Sequence, residues 1–258
     1  MENENKVIKS ENKTVKEKKV KDDKFYYKWY TERFGGLCKF LLPSYFFGED
    51  FPQEPSYIVS NHLTLFDPVL IYVNTDGFKR FVSKQETKKI PVLGRIFAKI
   101  GTIFIDRSEK GDLGAVKNIL KSSRKGETIV IYPEGTRNKE NTEIQPLKDG
   151  ISMFVLKSSP IVVPVALYNR QRFFRRNFVY VGKPIDFSEY KIKQGDSATI
   201  MEEVKQLIYT EMLRCKQVLD GYIQAGGAKK LKALYKKQKK ENKKLGIKNF
   251  VIKVDDLQ

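Results

Sequence analysis

The sequence predicts an α/β domain: a mixed, largely parallel central sheet flanked by helices, with an N-terminal amphipathic helical segment and a C-terminal helix. Three observations predict it. From residue 56 onward, apolar runs of strand length alternate with segments of helical periodicity, the pattern of strands joined through helices. Glycine and proline punctuate the junctions between them. A chain of 258 residues with 40% apolar content can also bury one substantial core.

The elements follow in order. Residues 1–24 mix Lys and Glu with almost no large apolar side chains and read as a disordered charged tail. Residues 25–51 then crowd aromatics among basic residues. Phe25, Trp29, Phe34, Leu37, Phe40 and Leu41 fall near helical spacing, although Gly35-Gly36 weakens a helix there. Two readings fit that stripe: a helix covering the core, or a helix lying in a membrane interface with its aromatics at headgroup depth. Strands are expected at 56–60, 79–84, 101–105, 127–132, 161–167 and 177–182. Helices are expected at 91–100, which opens on Pro91, at 111–126, which closes on Gly126, and at 147–159. Ile200, Val204, Leu207, Ile208, Cys215, Leu219 and Tyr222 mark a long amphipathic helix ending near Gly226-Gly227. The main domain therefore spans 52–227. Residues 228–258 form a basic tail with 11 Lys against 3 acidic residues.

The net charge of +18 calls for an anionic partner: nucleic acid, an anionic membrane or a phosphorylated substrate. Two isolated cysteines and one histidine offer neither a disulfide framework nor a zinc site, so no metal is expected. No N-terminal stretch resembles a signal peptide, and no run reaches the ~20 apolar residues of a membrane span. Nucleic acid is not expected as the partner. The aromatics gather near the N-terminus, whereas the lysine-rich tail has only Tyr235 and Phe250 to interleave with its charges.

The one histidine, His62, stands just past the strand at 56–60, where a parallel strand delivers a site residue. Asp67 precedes Pro68, a helix-start pair with Asp at the N-cap and Pro in the first turn. The intervening loop is short enough to fold the carboxylate back toward the imidazole. Two readings fit the pair: Asp67 only caps the helix and His62 only fills space, or the carboxylate fixes the ring tautomer and leaves the other nitrogen to take a proton from a substrate hydroxyl. Arg107 and Arg137 likewise follow strands. In a parallel sheet they would share His62's edge.

N-H-L-T-L-F-D at 61–67 resembles the first signature of the glycerolipid acyltransferases, N-H-x-[ST]-x-x-D. G-T-I-F-I-D-R at 101–107, Y-P-E-G-T-R-N at 132–138 and I-V-V-P-V-A-L at 161–167 are similar to the next three blocks, in family order. Tyr132 stands where the family usually has Phe, and Asn138 where Ser is common; neither change is expected to affect chemistry. The segment at 83–87 keeps a lysine, Lys84, but lacks the family's leucine.

The resemblance implies acyl transfer from a thioester, acyl-CoA or acyl-carrier protein, to the sn-2 hydroxyl of lysophosphatidic acid, making phosphatidic acid. Glycerol 3-phosphate or another lysolipid is the alternative acceptor. It implies His62 and Asp67 as the catalytic pair, Arg107, Arg137 and Lys84 at the substrate phosphate, and Glu134, Gly135 and Thr136 as positioning residues. The co-substrate takes the place of a cofactor. Lipid substrates favour the interfacial reading of residues 25–51 and a peripheral, monotopic protein on an anionic cytoplasmic leaflet. Backbone amides of residues 60–64 are the candidate donors to a tetrahedral oxyanion.

Overall fold

The computed structural model describes residues 22–106 and 112–254. Arg107 and most of the charged N-terminal stretch lie outside the described residues. Among the described residues eight strands form one sheet: β1 (Ser44–Gly48), β2 (Tyr57–Ser60), β3 (Lys79–Lys84), β4 (Ile103–Ile105), β5 (Thr128–Ile131), β6 (Ile161–Leu167), β7 (Asn177–Val181) and β8 (Ile185–Asp186). Their order is β1-β7-β6-β2-β5-β3-β4, with β8 paired to β6. β2 is central and runs parallel to both neighbours, with Val59 opposite Ile131 on β5 and Pro164 on β6. β3 and β4 continue the parallel set, and β7 and β8 run antiparallel to β6. The sheet is thus mixed and mostly parallel. Helices cover both faces, which is why β2 and β7 are buried at every position rather than alternately.

The helices are α1 (Asp23–Leu41), α2 (Asp67–Asn74), α3 (Leu93–Lys99), α4 (Leu113–Arg124), α5 (Gly150–Lys157), α6 (Ser188–Ile192), α7 (Ser197–Tyr222) and α8 (Ala228–Lys244). Aspartates cap three of them. Asp22, Asp112 and Asp196 accept from the backbone N–H three residues on, opening α1, α4 and α7. One core layer packs Leu70 and Ile71 of α2 against Ile58, Val130 and Val163 of the sheet. The other packs Ile119 of α4, Val155 of α5 and Val204, Ile208 and Met212 of α7 against the opposite face.

Two segments differ from the expected layout. Residues 25–51 divide: α1 continues through Gly35-Gly36, and 44–48 become the edge strand β1, burying Phe46 and Phe47. The aromatic stripe of α1 does not cover the core. Phe25, Trp29, Phe34, Leu37 and Phe40 are all exposed, and Phe40 is 69% exposed. The basic segment from 228 is built into the fold. It forms α8, buries Leu231, and returns so that Ile252 bridges Phe47 in parallel. α7 meets α8 through a π-turn at Ile223–Gly227, where Gly226 takes the left-handed φ of 87° that marks the expected break.

Candidate active site

Because β2, β3, β4, β5 and β6 are parallel, the loops after them gather at one edge of the sheet. His62 follows β2, Lys84 ends β3, the 132–138 turn follows β5, and the 168–176 loop follows β6. A cavity of about 550 Å³ opens there. His62, Lys84, Gly135, Thr136 and Arg137 line it together. Arg107 lies outside the described residues.

His62 Nδ1 is 2.7 Å from Asp67 Oδ2. The same oxygen accepts the backbone N–H of Leu63 at 2.6 Å and of Thr64 at 2.8 Å, and Thr64 Oγ1 stands 2.7 Å from Asp67 Oδ1. With the carboxylate accepting from those backbone groups, the hydrogen bond assigns the ring proton to Nδ1 and leaves Nε2 as the acceptor. Asp67 is fully buried and the His62 side chain is 18% exposed. The pair is therefore held on its inner side and open on the cavity side.

The carboxylate does not cap α2 as expected. Phe66 occupies the N-cap position with no side-chain bond, Pro68 supplies the first-turn φ, and Asp67 turns back into the loop it closes. This explains how five residues suffice: the loop amides at 63 and 64 wrap the aspartate and bring His62 to it. Three of the candidate oxyanion donors are thereby occupied. The amides of 63 and 64 bond Asp67, and that of 62 donates to Glu134 Oε1 at 2.8 Å.

Glu134 supports the site from behind. It is 2% exposed, accepts from His62 N, and accepts from Gln145 N at 3.3 Å. Burial is the main cause that raises its carboxyl from the ordinary 4.5 to about 7, opposed by those two backbone donors and assisted by the Asp67 charge. Gly135 adopts φ 79° and closes a turn to Tyr132 O at 3.0 Å, which brings Thr136 and Arg137 to the cavity wall.

Several contributors were not legible beforehand. The Tyr132 ring stacks on the imidazole at 4.3 Å, so the aromatic that opens the third block sets the ring plane of His62. Its hydroxyl is buried without a hydrogen-bond partner among the described residues, and burial raises its pKa far above the ordinary value. Asn138 donates its backbone N–H to His62 O at 2.8 Å, so the two blocks are stitched by main chain. Gln171, after β6, bonds Thr64 Oγ1 at 2.7 Å. Lys148 adds a third cation to the cavity wall beside Lys84 and Arg137. Nothing in its spacing distinguishes it from the chain's other lysines. Much of the remaining wall is apolar, with Tyr30, Phe34 and Cys38 of α1 lining it together with Val69, Phe81, Ile96 and Phe97. By contrast, no residue of β6 lines the cavity, which makes the Val162–Leu167 block structural.

The arrangement thus combines an oriented base, a set of cations and an apolar channel at one opening. Residues 45–168 match the family described as Acyltransferase. A 1-acyl-sn-glycerol-3-phosphate acyltransferase of Borreliella burgdorferi is 31% identical over 135 residues, covering 51% of this chain and 53% of that protein. The protein of the same name from Cocos nucifera is 27% identical over 175 residues, covering 66% and 55% respectively. The chain therefore spans about half the length of these relatives. The crystal structure of the 1-acyl-sn-glycerophosphate (LPA) acyltransferase PlsC from Thermotoga maritima superposes with a TM-score of 0.57 at 21% identity, over 74% of this chain and 78% of that one. That likeness is one of fold.

Proposed function

We propose that this protein, whose residues 45–168 match the family described as Acyltransferase, moves an acyl group from a thioester to the sn-2 hydroxyl of 1-acyl-glycerol 3-phosphate, making phosphatidic acid. The observation that carries the reading is the His62–Asp67 pair at 2.7 Å on the wall of a cavity that is cationic at one part and apolar at another. Nε2 accepts the proton of the acceptor hydroxyl as its oxygen attacks the thioester carbonyl. The tetrahedral intermediate collapses with cleavage of the C–S bond. The imidazolium then returns its proton to the departing thiolate, so the base is regenerated and no covalent acyl-enzyme is formed. Asp67 keeps Nδ1 protonated and stabilises the transient cation.

Arg137, Lys84 and Lys148 take the acceptor phosphate. Arg107 belongs with them on sequence grounds. Glu134 acts by fixing the loop that carries His62, and Gly135 and Thr136 by shaping the turn that presents Arg137. The α1 wall takes acyl chain, and a lysolipid acceptor uses that apolar surface more fully than glycerol 3-phosphate does. No helix among the described residues is long and apolar enough to cross a membrane. The exposed aromatic stripe of α1 supports peripheral attachment at an anionic leaflet.

The test is product identification. Protein is incubated with labelled acyl-CoA or acyl-carrier protein and, separately, with 1-acyl-glycerol 3-phosphate, glycerol 3-phosphate and uncharged or zwitterionic lysolipids. Phosphatidic acid is expected as the preferred product. Faster acylation of glycerol 3-phosphate would reassign the acceptor, and no transfer to any of them would refute the reading.

A further inference from the structure

We propose that the loop after β6, Arg172 to Arg176, is a second membrane-docking element that recognises anionic lipid headgroups beside the cavity mouth. The proposal rests on the lipid-substrate reading for its purpose but not for its observations. β6 is parallel to β2, with Val165 opposite Ser60, so the loop leaves the sheet at the edge that holds His62. Its sequence is R-F-F-R-R, and every one of these residues is exposed. Phe173 is 47% exposed and Phe174 is 65% exposed. Large rings at the tip of a polar loop are unusual unless something apolar receives them.

The rings are held outward by the fold. Phe174 has φ 58°, a left-handed conformation that aromatic residues rarely adopt. Its N–H donates to Leu41 O at 2.7 Å, which ties the loop to the end of α1. The Phe40 and Phe174 rings meet edge-on at 5.8 Å, and Phe173 packs on Phe66 at 4.9 Å. Leu37, Phe40, Phe173 and Phe174 thus extend the exposed α1 stripe onto a second element next to the 62–67 loop.

Charge identifies the occupant. Arg172, Arg175 and Arg176 form no ion pair among the described residues, and the sequence holds no acidic residue between Asp149 and Asp186. Arg170 differs: its Nη2 donates to Asn138 O at 3.2 Å and Asn141 O at 3.3 Å, which makes it a brace for the 138–141 turn and not part of the docking set. Three free guanidinium groups around two projecting phenyl rings complement a surface with phosphates outside and hydrocarbon beneath.

The test uses the full chain, flotation on vesicles of phosphatidylcholine with and without phosphatidylglycerol, and two variants. The first is R172Q/R175Q/R176Q; the second is Phe174→Asn, since Asn tolerates positive φ. Thermal melting and transfer to a short-chain acceptor below its micelle concentration should match the parent for both. The arginine variant should lose on the order of a hundredfold in partitioning onto anionic vesicles and nothing on neutral ones. Phe174→Asn should weaken both, by on the order of tenfold. Flotation of the arginine variant equal to the parent's, or a parent that does not float on anionic vesicles, would overturn the proposal. So would a defect confined to a raised KM for an acidic carrier-protein donor with vesicle binding intact. Flotation is read without turnover. A protein that binds through this loop yet transfers no acyl group would refute the acyltransfer reading alone.

Discussion

At the amino-terminal edge of the sheet, Arg80 is enclosed by acceptors. It pairs with Asp23 of α1 at 2.6 Å, donates Nη2 to Glu127 Oε1 at 3.1 Å and Nη1 to Gly101 O at 3.0 Å, and bonds Glu127 Oε2 through Nε. At the carboxy-terminal edge, Arg137, Lys84 and Lys148 line a cavity and form no ion pair among the described residues. One strand, β3, carries both kinds of cation, with Arg80 near its start and Lys84 at its end. Formal charge does not separate these groups; their partners do. A cation whose acceptors are already in the protein contributes to the fold. A cation on a cavity wall, next to an oriented base, is available to a ligand's anion.

The contrast predicts opposite phenotypes. His62→Ala should lower kcat by about 10²–10⁴-fold while leaving the denaturation midpoint near the parent's, since only the base is removed. Arg80→Ala should do the reverse. It strips the main partner from Glu127, whose side chain is 7% exposed, and should cost about 3 kcal/mol in urea-unfolding free energy with kcat largely retained. Loss of folding in the first, or loss of turnover at full stability in the second, would break the distinction between the two edges.

A smaller effect sharpens it. Arg137→Ala should raise KM for a phosphate-bearing acceptor by about ten- to a hundredfold, the range of a charge-assisted hydrogen bond, with no loss of stability. Lys148→Gln should raise KM only several-fold, because an exposed lysine makes a screened point contact. Acceptors lacking phosphate should show neither change. A uniform KM increase for all acceptors would mean that these cations shape the cavity and do not read the phosphate.

Much of this edge was legible because strand, loop and helix signals coincide within a few residues. The apolar runs gave six of the strands, and Asp67-Pro68 located the start of α2. β1 was missed because S-Y-F-F-G follows aromatic sequence that reads as more of the same helix; only pairing with β7, far away in sequence, makes it a strand. The outward stripe of α1 could not be told from an inward one by periodicity, since 3.6-residue spacing defines a face and not its direction. The Tyr132 stack and the Thr64–Gln171 contact depend on where loops from β5 and β6 converge, and no local pattern records that. α8 was read as a tail because charge dominates its composition. Its docking depends on Leu231 and on Tyr235 against Tyr45 and Phe250, a minority of its residues.

Glu134 tests the edge comparison from its buried side, with the smallest expected change in turnover. No cation pairs with it among the described residues, unlike Glu127, and burial raises its carboxyl to about 7. As pH rises from about 4.5, the unfolded chain releases this proton while the native protein keeps it until about 7. The native state therefore binds more protons across that window, and this group's contribution to stability falls as pH rises through it. The full fall is at most about 3 kcal/mol. Glu134→Gln cannot ionise, so urea midpoints of the variant should lose this component of pH dependence and exceed the parent's most clearly above pH 7. The amide oxygen can still accept from His62 N, so the loop stays in place and kcat should fall only a few-fold, reflecting the lost acceptor for Gln145 N. A variant whose stability follows the parent's pH slope would show that Glu134 is ionised throughout, with a countercharge that the fold must then supply.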